Sequence, residues 1–164
     1  MDFGLPMVFG LFATLWGGAP ADYDATPKQL LVAVYAPPVV VGKELAPEDI
    51  YSDRLQALFD GYFSNEQTLF AAAGNVEPPI NLIPFDPLSL VIESGSIAIS
   101  EPVVSGHQAT ATVSVTKNGG TSQLSLFLIE QAEGWRIDDI ASFDAEGQPW
   151  LLSWILRYDP PMDG

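Results

Sequence analysis

The stretch HQATATVSVT (residues 107–116), followed by KNGG (117–120) and TSQLSLFLIEQ (121–131), reads as a β-hairpin. Ala109, Ala111, Val113 and Val115 alternate with Gln108, Thr110, Thr112, Ser114 and Thr116. That two-residue period belongs to a strand with one buried and one wet face. Lys117-Asn118-Gly119-Gly120 is a strong hairpin turn, since Asn and Gly tolerate the positive φ that tight turns demand. Downstream, Ala132-Glu133-Gly134 is a second turn and Trp135–Ser142 a further strand. Upstream, Ser96–Val104 alternates Ile97, Ile99, Glu101 and Val103 before a turn at Ser105-Gly106. From about Leu90 the chain is therefore expected to run as an antiparallel meander of at least three strands.

Before this point the period is helical. Thr26-Pro27 is a cap followed by proline in the first turn, and KQLLVAVYA continues a helix to Ala36. Pro37-Pro38 stops it, and residues 37–47 form a loop. Pro47-Glu48-Asp49 opens a second helix, with carboxylates at the positive end of its dipole. Ile50, Tyr51, Leu55, Leu58, Phe59, Tyr62 and Phe63 recur along it at helical spacing. A third helix is expected from Asn65 to Ala73, ending at Gly74, followed by a loop at 75–88 with four prolines. A last helix, Gln148 to Tyr158, sets Trp150, Leu151, Trp154 and Ile155 on one face, where the two tryptophans would seal the sheet. Helices first, a sheet next and a closing helix make an α+β layer architecture.

The whole chain has 164 residues, 48% of them hydrophobic, with nine Phe, five Tyr and four Trp. That suits one packed domain and argues against wholesale disorder. Against 21 acids stand 6 bases, a net charge of −15. Six scattered cations cannot neutralise a phosphate track, so a nucleic-acid partner is not expected. The absence of cysteine excludes disulfides, thiolate catalysis and zinc ribbons, and the single His107 excludes a site built on two imidazoles.

Residues 3–16 (FGLPMVFGLFATLW) are uncharged and apolar, too short to span a bilayer but right for a secretory signal. Ala19-Pro20-Ala21 places the expected cut after Ala21, leaving a single domain at 22–164 in the periplasm or outside the cell. The basic segment usual in such signals is missing and Asp2 has the opposite sign. The other reading is a buried N-terminal helix of a cytosolic protein.

LLVAVYAPP, YSDRLQALFDGYF, IPFDPLSL and EGWRIDDI together resemble a family of uncharacterised bacterial exported proteins, over residues 28–157. That family is similar to the nuclear transport factor two-like, or cystatin-like, superfamily. The resemblance implies a cone: a curved antiparallel sheet wrapped around the N-terminal helices, with a cavity at its wide end and a C-terminal helix. GWRIDDI is its most specific piece. After Phe85-Asp86-Pro87 the family tends to a polar pair, whereas this chain continues with apolar Leu88-Ser89-Leu90. The family lends no established activity.

Candidate chemistry centres on that strand. Regular alternation puts Trp135, Ile137 and Asp139 on one face, and in a cone Asp139 would enter the cavity as a general base. Isomerases and dehydratases of the cone fold place an acid this way, which is the enzymatic alternative. A bulge at Asp138-Asp139 would instead bring Ile140 inward and turn Asp139 out. The structural alternative is that one of the two aspartates pairs with Arg54 or Arg136 and fixes the sheet to the helix. Tyr51 and Tyr62, with Trp135 and Asp139, are the candidate ligand-binding residues, although aromatic side chains at helical spacing also suit a core. His107 is either a proton shuttle or a solvated turn residue. Asp138, Asp139, Asp144 and Glu146 form an acidic rim without the spacing of a calcium loop. No cofactor or metal is implied. The function expected is a binding module, monomeric or weakly dimeric, for a small apolar molecule or an envelope protein.

Overall fold

The computed structural model describes residues 24–35, 45–72, 96–144 and 146–157. The expected signal segment, the loops at 37–44 and 75–88, the FDP segment and the ends of three expected helices (Ala36, Ala73-Gly74 and Tyr158) lie outside them. Helix α1 (Pro27–Tyr35), a short α2 (Pro47–Ile50) and a long α3 (Asp53–Ala72) precede strands β1 (Ser96–Ile99), β2 (Val103–Ser105), β3 (Gln108–Lys117), β4 (Gly120–Gln131), β5 (Gly134–Phe143) and β6 (Pro149–Leu151). Helix α4 (Leu152–Arg157) follows. The strands form one open antiparallel sheet in the order β1-β3-β4-β5-β6, with β2 also against β3. The protein is α+β.

The hairpin is the expected one. Asn118 and Gly119 have φ of 51° and 80°, and β3 and β4 pair without a slip from Lys117↔Gly120 to Gln108↔Ile129. Its buried face is the one the alternation marks: Ala109, Ala111, Val113 and Val115 join Leu124, Leu126, Leu128, Ile137 and Ile140. Leu30 and Leu31 of α1 and Tyr51, Leu55 and Tyr62 cover them, with Leu152 and Leu156 of α4. Each fully buried leucine contributes about 1.5–3 kcal/mol relative to exposure, so this layer holds helices to sheet.

Four features differ from expectation. The second helix does not run through from Pro47: the chain breaks at Tyr51-Ser52, where Tyr51 bridges Ile137 and the Ser52 N–H donates to the Ile137 carbonyl at 2.9 Å. Ser52 then caps α3, its hydroxyl accepting the Leu55 N–H at 3.1 Å. From Asp53 the helix continues past Ser64-Asn65, because no proline or cap interrupts it, so the second and third expected helices are one. The strand expected over Ser96–Val104 is two. Its register on β3 slips by one residue between Ile99↔Val113 and Val103↔Thr110, around Pro102. Ser100 bridges the gap, its N–H donating to the Thr112 carbonyl and its hydroxyl accepting the Thr112 N–H, both at 2.9 Å. At the other end, Pro149-Trp150-Leu151 is an edge strand on β5 rather than the first turn of a helix, a place where proline's missing N–H costs no ladder bond. Trp150 packs against the core, but Trp154 is 71% exposed and does not seal the sheet.

Candidate functional site

The segment from Gly134 to Ile140 lies where the chain's separate pieces meet. Gly134 has φ of +121°, and a Cβ there would sit 2.6 Å from the Asp24 side chain. The space it leaves lets Asp24 reach Arg136, whose Nη1 donates to Asp24 Oδ2 at 2.5 Å. Arg136 is 6% exposed, and its Nε also donates to the Glu48 carbonyl of α2 at 3.0 Å. The Trp135 N–H donates to the Asp24 carbonyl at 2.9 Å. The β5 edge is thus occupied by Asp24 at Trp135, by Tyr51-Ser52 at Ile137 and by β6 from Ala141 onward. Such cover blunts an edge that would otherwise recruit another strand.

Between Ile137 and Asp139 the ladder with β4 carries a bulge: Leu128 pairs with Ile137 and Phe127 with Asp139, leaving Asp138 over. The extra residue brings Ile140 into the core beside Ile137 and sets Asp139 opposite Phe127, away from the apolar layer. Asp138 Oδ1 accepts the Ser52 hydroxyl at 2.6 Å and Arg54 Nε at 3.0 Å, and its Oδ2 accepts Arg54 Nη2 at 3.0 Å. Arg54 Nη2 also donates to the Asp138 carbonyl. Asp139 Oδ1 accepts the Ile140 N–H at 2.9 Å and the Ser153 N–H at 3.0 Å, tying α4 to the sheet. Its Oδ2 lies 3.5 Å from Arg54 Nη2.

The Arg54 guanidinium is held above its ordinary pKa, chiefly by its hydrogen bond to Asp138; burial, the next largest effect, opposes this, and the charges of Asp138 and Asp139 add to it. A raised cation contributes its stability below the unfolded-state value and loses it only as pH climbs through the folded one. Arg54 is therefore charged throughout the neutral range.

Of the four candidate ligand residues, Tyr51, Tyr62 and Trp135 belong to the core cluster, packed with the leucines of α1 and α3. Asp139 is also buried, at 8% exposure, but lines a cavity of about 300 Å³ on the opposite face of the sheet. Thr110, Phe127, Ile129 and Leu151 wall this cavity, and Arg54, Asp138 and Asp139 are its charged side chains. Neither candidate tyrosine nor Trp135 reaches it. The wall residues escaped the reading of alternation, yet Leu126-Phe127-Leu128-Ile129 is apolar at both parities, which sets apolar side chains on the cavity face as well as on the core.

His107 is an exposed turn residue whose Nδ1 lies 2.8 Å from Glu130 Oε2. In the acidic rim, Asp144 Oδ1 accepts the N–H groups of Glu146 and Gln148 at 3.0 and 2.7 Å and so closes its own turn. Among the described residues no group of three or more metal-ligating side chains converges, and no helix is long and apolar enough to cross a membrane. Comparison with family models, curated proteins and solved structures returns no match to this chain. Chemically, Asp138 is spent on Ser52 and Arg54 and Asp139 Oδ1 on two backbone N–H groups, and the cavity beside them offers apolar walls with a charged end.

Proposed function

We propose that this chain is a small exported binding module, not an enzyme, and that it holds a small, largely apolar molecule in the cavity behind Phe127. The observation that carries the reading is the cavity itself, with its apolar side chains and three charged groups gathered at one end, the usual make-up of a small-molecule site. The order of helices before an antiparallel meander supports a cone of the nuclear transport factor two-like kind. In such a cone the ligand would be expected between helix and sheet. Here Leu30, Leu31, Tyr51, Leu55 and Tyr62 pack that space, which favours the other face. Export follows from the apolar segment at 3–16 and the small residues at 19–21. The acid–base reading has less support, since Asp139 already carries two backbone N–H groups and faces Arg54.

Titration with N-phenyl-1-naphthylamine, a neutral probe that fluoresces in apolar sites, tests this. Saturable binding is expected. Thr110→Trp, an exposed position directly across from Phe127, fills the cavity mouth and should weaken the probe at least about tenfold. Stability should move by about 0.5 kcal/mol or less, because the change is on the surface. Non-saturable binding, or a Thr110→Trp variant that binds as the parent does, would overturn the proposal.

A further inference from the structure

We infer that the molecule held in this cavity carries a cationic tip, an ammonium or similar donor group, recognised by the Asp139 carboxylate. The inference rests on the cavity reading above and deepens it. Its first ground is charge. Two carboxylates and one guanidinium line the cavity, so one negative charge stands uncompensated beside apolar walls. Its second ground is hydrogen bonding. Asp138 is well supplied, with the Ser52 hydroxyl and Arg54 Nε on Oδ1 and Arg54 Nη2 on Oδ2. Asp139 Oδ1 has two backbone donors. Among the described residues Asp139 Oδ2 has one donor, Arg54 Nη2, at the long distance of 3.5 Å, although the side chain is only 12% exposed.

Buried carboxylate oxygens ordinarily accept close donors, and charge-assisted N–H···O bonds settle near 2.7–2.9 Å. Arg54 cannot close that gap while its Nε and Nη2 stay bidentate on Asp138, so the acceptor is left for a ligand. An ammonium fits it; a carboxylate ligand would meet a site already in negative excess. The net charge of −15 adds a field that gathers cations and repels anions. The walls of Phe127, Ile129 and Leu151 then take an aryl or alkyl body.

Three probes of similar size separate the possibilities: 2-phenylethylammonium, 2-phenylethanol and phenylacetate, each measured by displacement of N-phenyl-1-naphthylamine. The expected order of affinity is ammonium, alcohol, carboxylate, with at least about tenfold between first and last. Raising the salt to 0.5 M should shrink the ammonium's advantage over the alcohol, as screening requires. Asp139→Asn, which keeps an oxygen for the Ile140 and Ser153 N–H groups, should bring the ammonium-to-alcohol ratio close to one. Equal affinities for the three probes, or a preference for phenylacetate, would overturn the inference while leaving the cavity reading intact. If the wild-type protein fails to bind the naphthylamine, both readings fall together. The comparison of probes on the wild-type chain decides the matter even where Asp139→Asn does not fold.

Discussion

Asp24→Ala is expected to destabilise the folded chain by about 3–5 kcal/mol, the usual consequence of leaving one member of a buried ion pair alone. Arg136 is the member left. Its side chain is 7% exposed, and its remaining partners among the described residues are two backbone carbonyls, of Glu48 and Trp135, which satisfy donors without neutralising charge. For a chain of this size that loss corresponds to a fall in Tm of about 10 °C or more, readable by circular dichroism. Removing the cation as well, in Asp24→Ala/Arg136→Met, should restore a substantial part, since an apolar residue of similar volume tolerates the site that a lone guanidinium does not. A single variant as stable as the wild type would show that the pair does not hold the N-terminal segment to the sheet.

Gly134→Ala should be comparably severe, and for a linked reason. A methyl group at that position meets Asp24 Cγ at 2.6 Å, Asp24 Oδ2 at 2.7 Å and the Asp24 carbonyl at 3.0 Å, while φ of +121° is itself unfavourable to any side chain. The backbone cost is about 1–3 kcal/mol. Expulsion of Asp24 adds the loss of its bond to Arg136. The two substitutions thus act on one contact and should be non-additive: the double variant Asp24→Ala/Gly134→Ala is expected to be more stable than the sum of the singles implies, by at least about 1 kcal/mol. Strict additivity in chemical denaturation would show that Gly134 is needed for its turn alone.

These two residues mark where sequence patterns stop informing. The hairpin was legible because alternation and Asn-Gly chemistry are local, and the same holds for the buried face of β3 and for Leu55 and Tyr62 of α3, although Phe63 of the same stripe is 51% exposed. The break at Tyr51-Ser52 was not, since apolar spacing continues through it; the cause is a long-range bond to Ile137. Ser52 before Asp53 is a cap signal, but one that competes with an uninterrupted helical period. The bulge at Asp138 was legible as one of two possibilities. What selects it is the pair of apolar residues Ile137 and Ile140, which reach the same core only if one residue is left over. Asp24 carried no signal at all: its role depends on a residue 112 positions away. Alternation along its strand marks Asp139 as a site residue, and the structure sets it in a cavity, but on the face away from Tyr51, Tyr62 and Trp135. GWRIDDI reads in retrospect as a docking strand, in which each polar residue holds a different part of the chain.

Amide hydrogen exchange of the full chain tests that role most directly. The N–H groups of Trp135, Ser52, Ile140 and Ser153 point to Asp24, Ile137 and the Asp139 carboxylate. If they hold the helices and the C-terminal segment to one sheet edge, all four should exchange slowly and with similar free energies, close to that of global unfolding. Exchange of Ser52 and Ser153 at the rates of exposed loops, while the β3–β4 ladder stays protected, would contradict it.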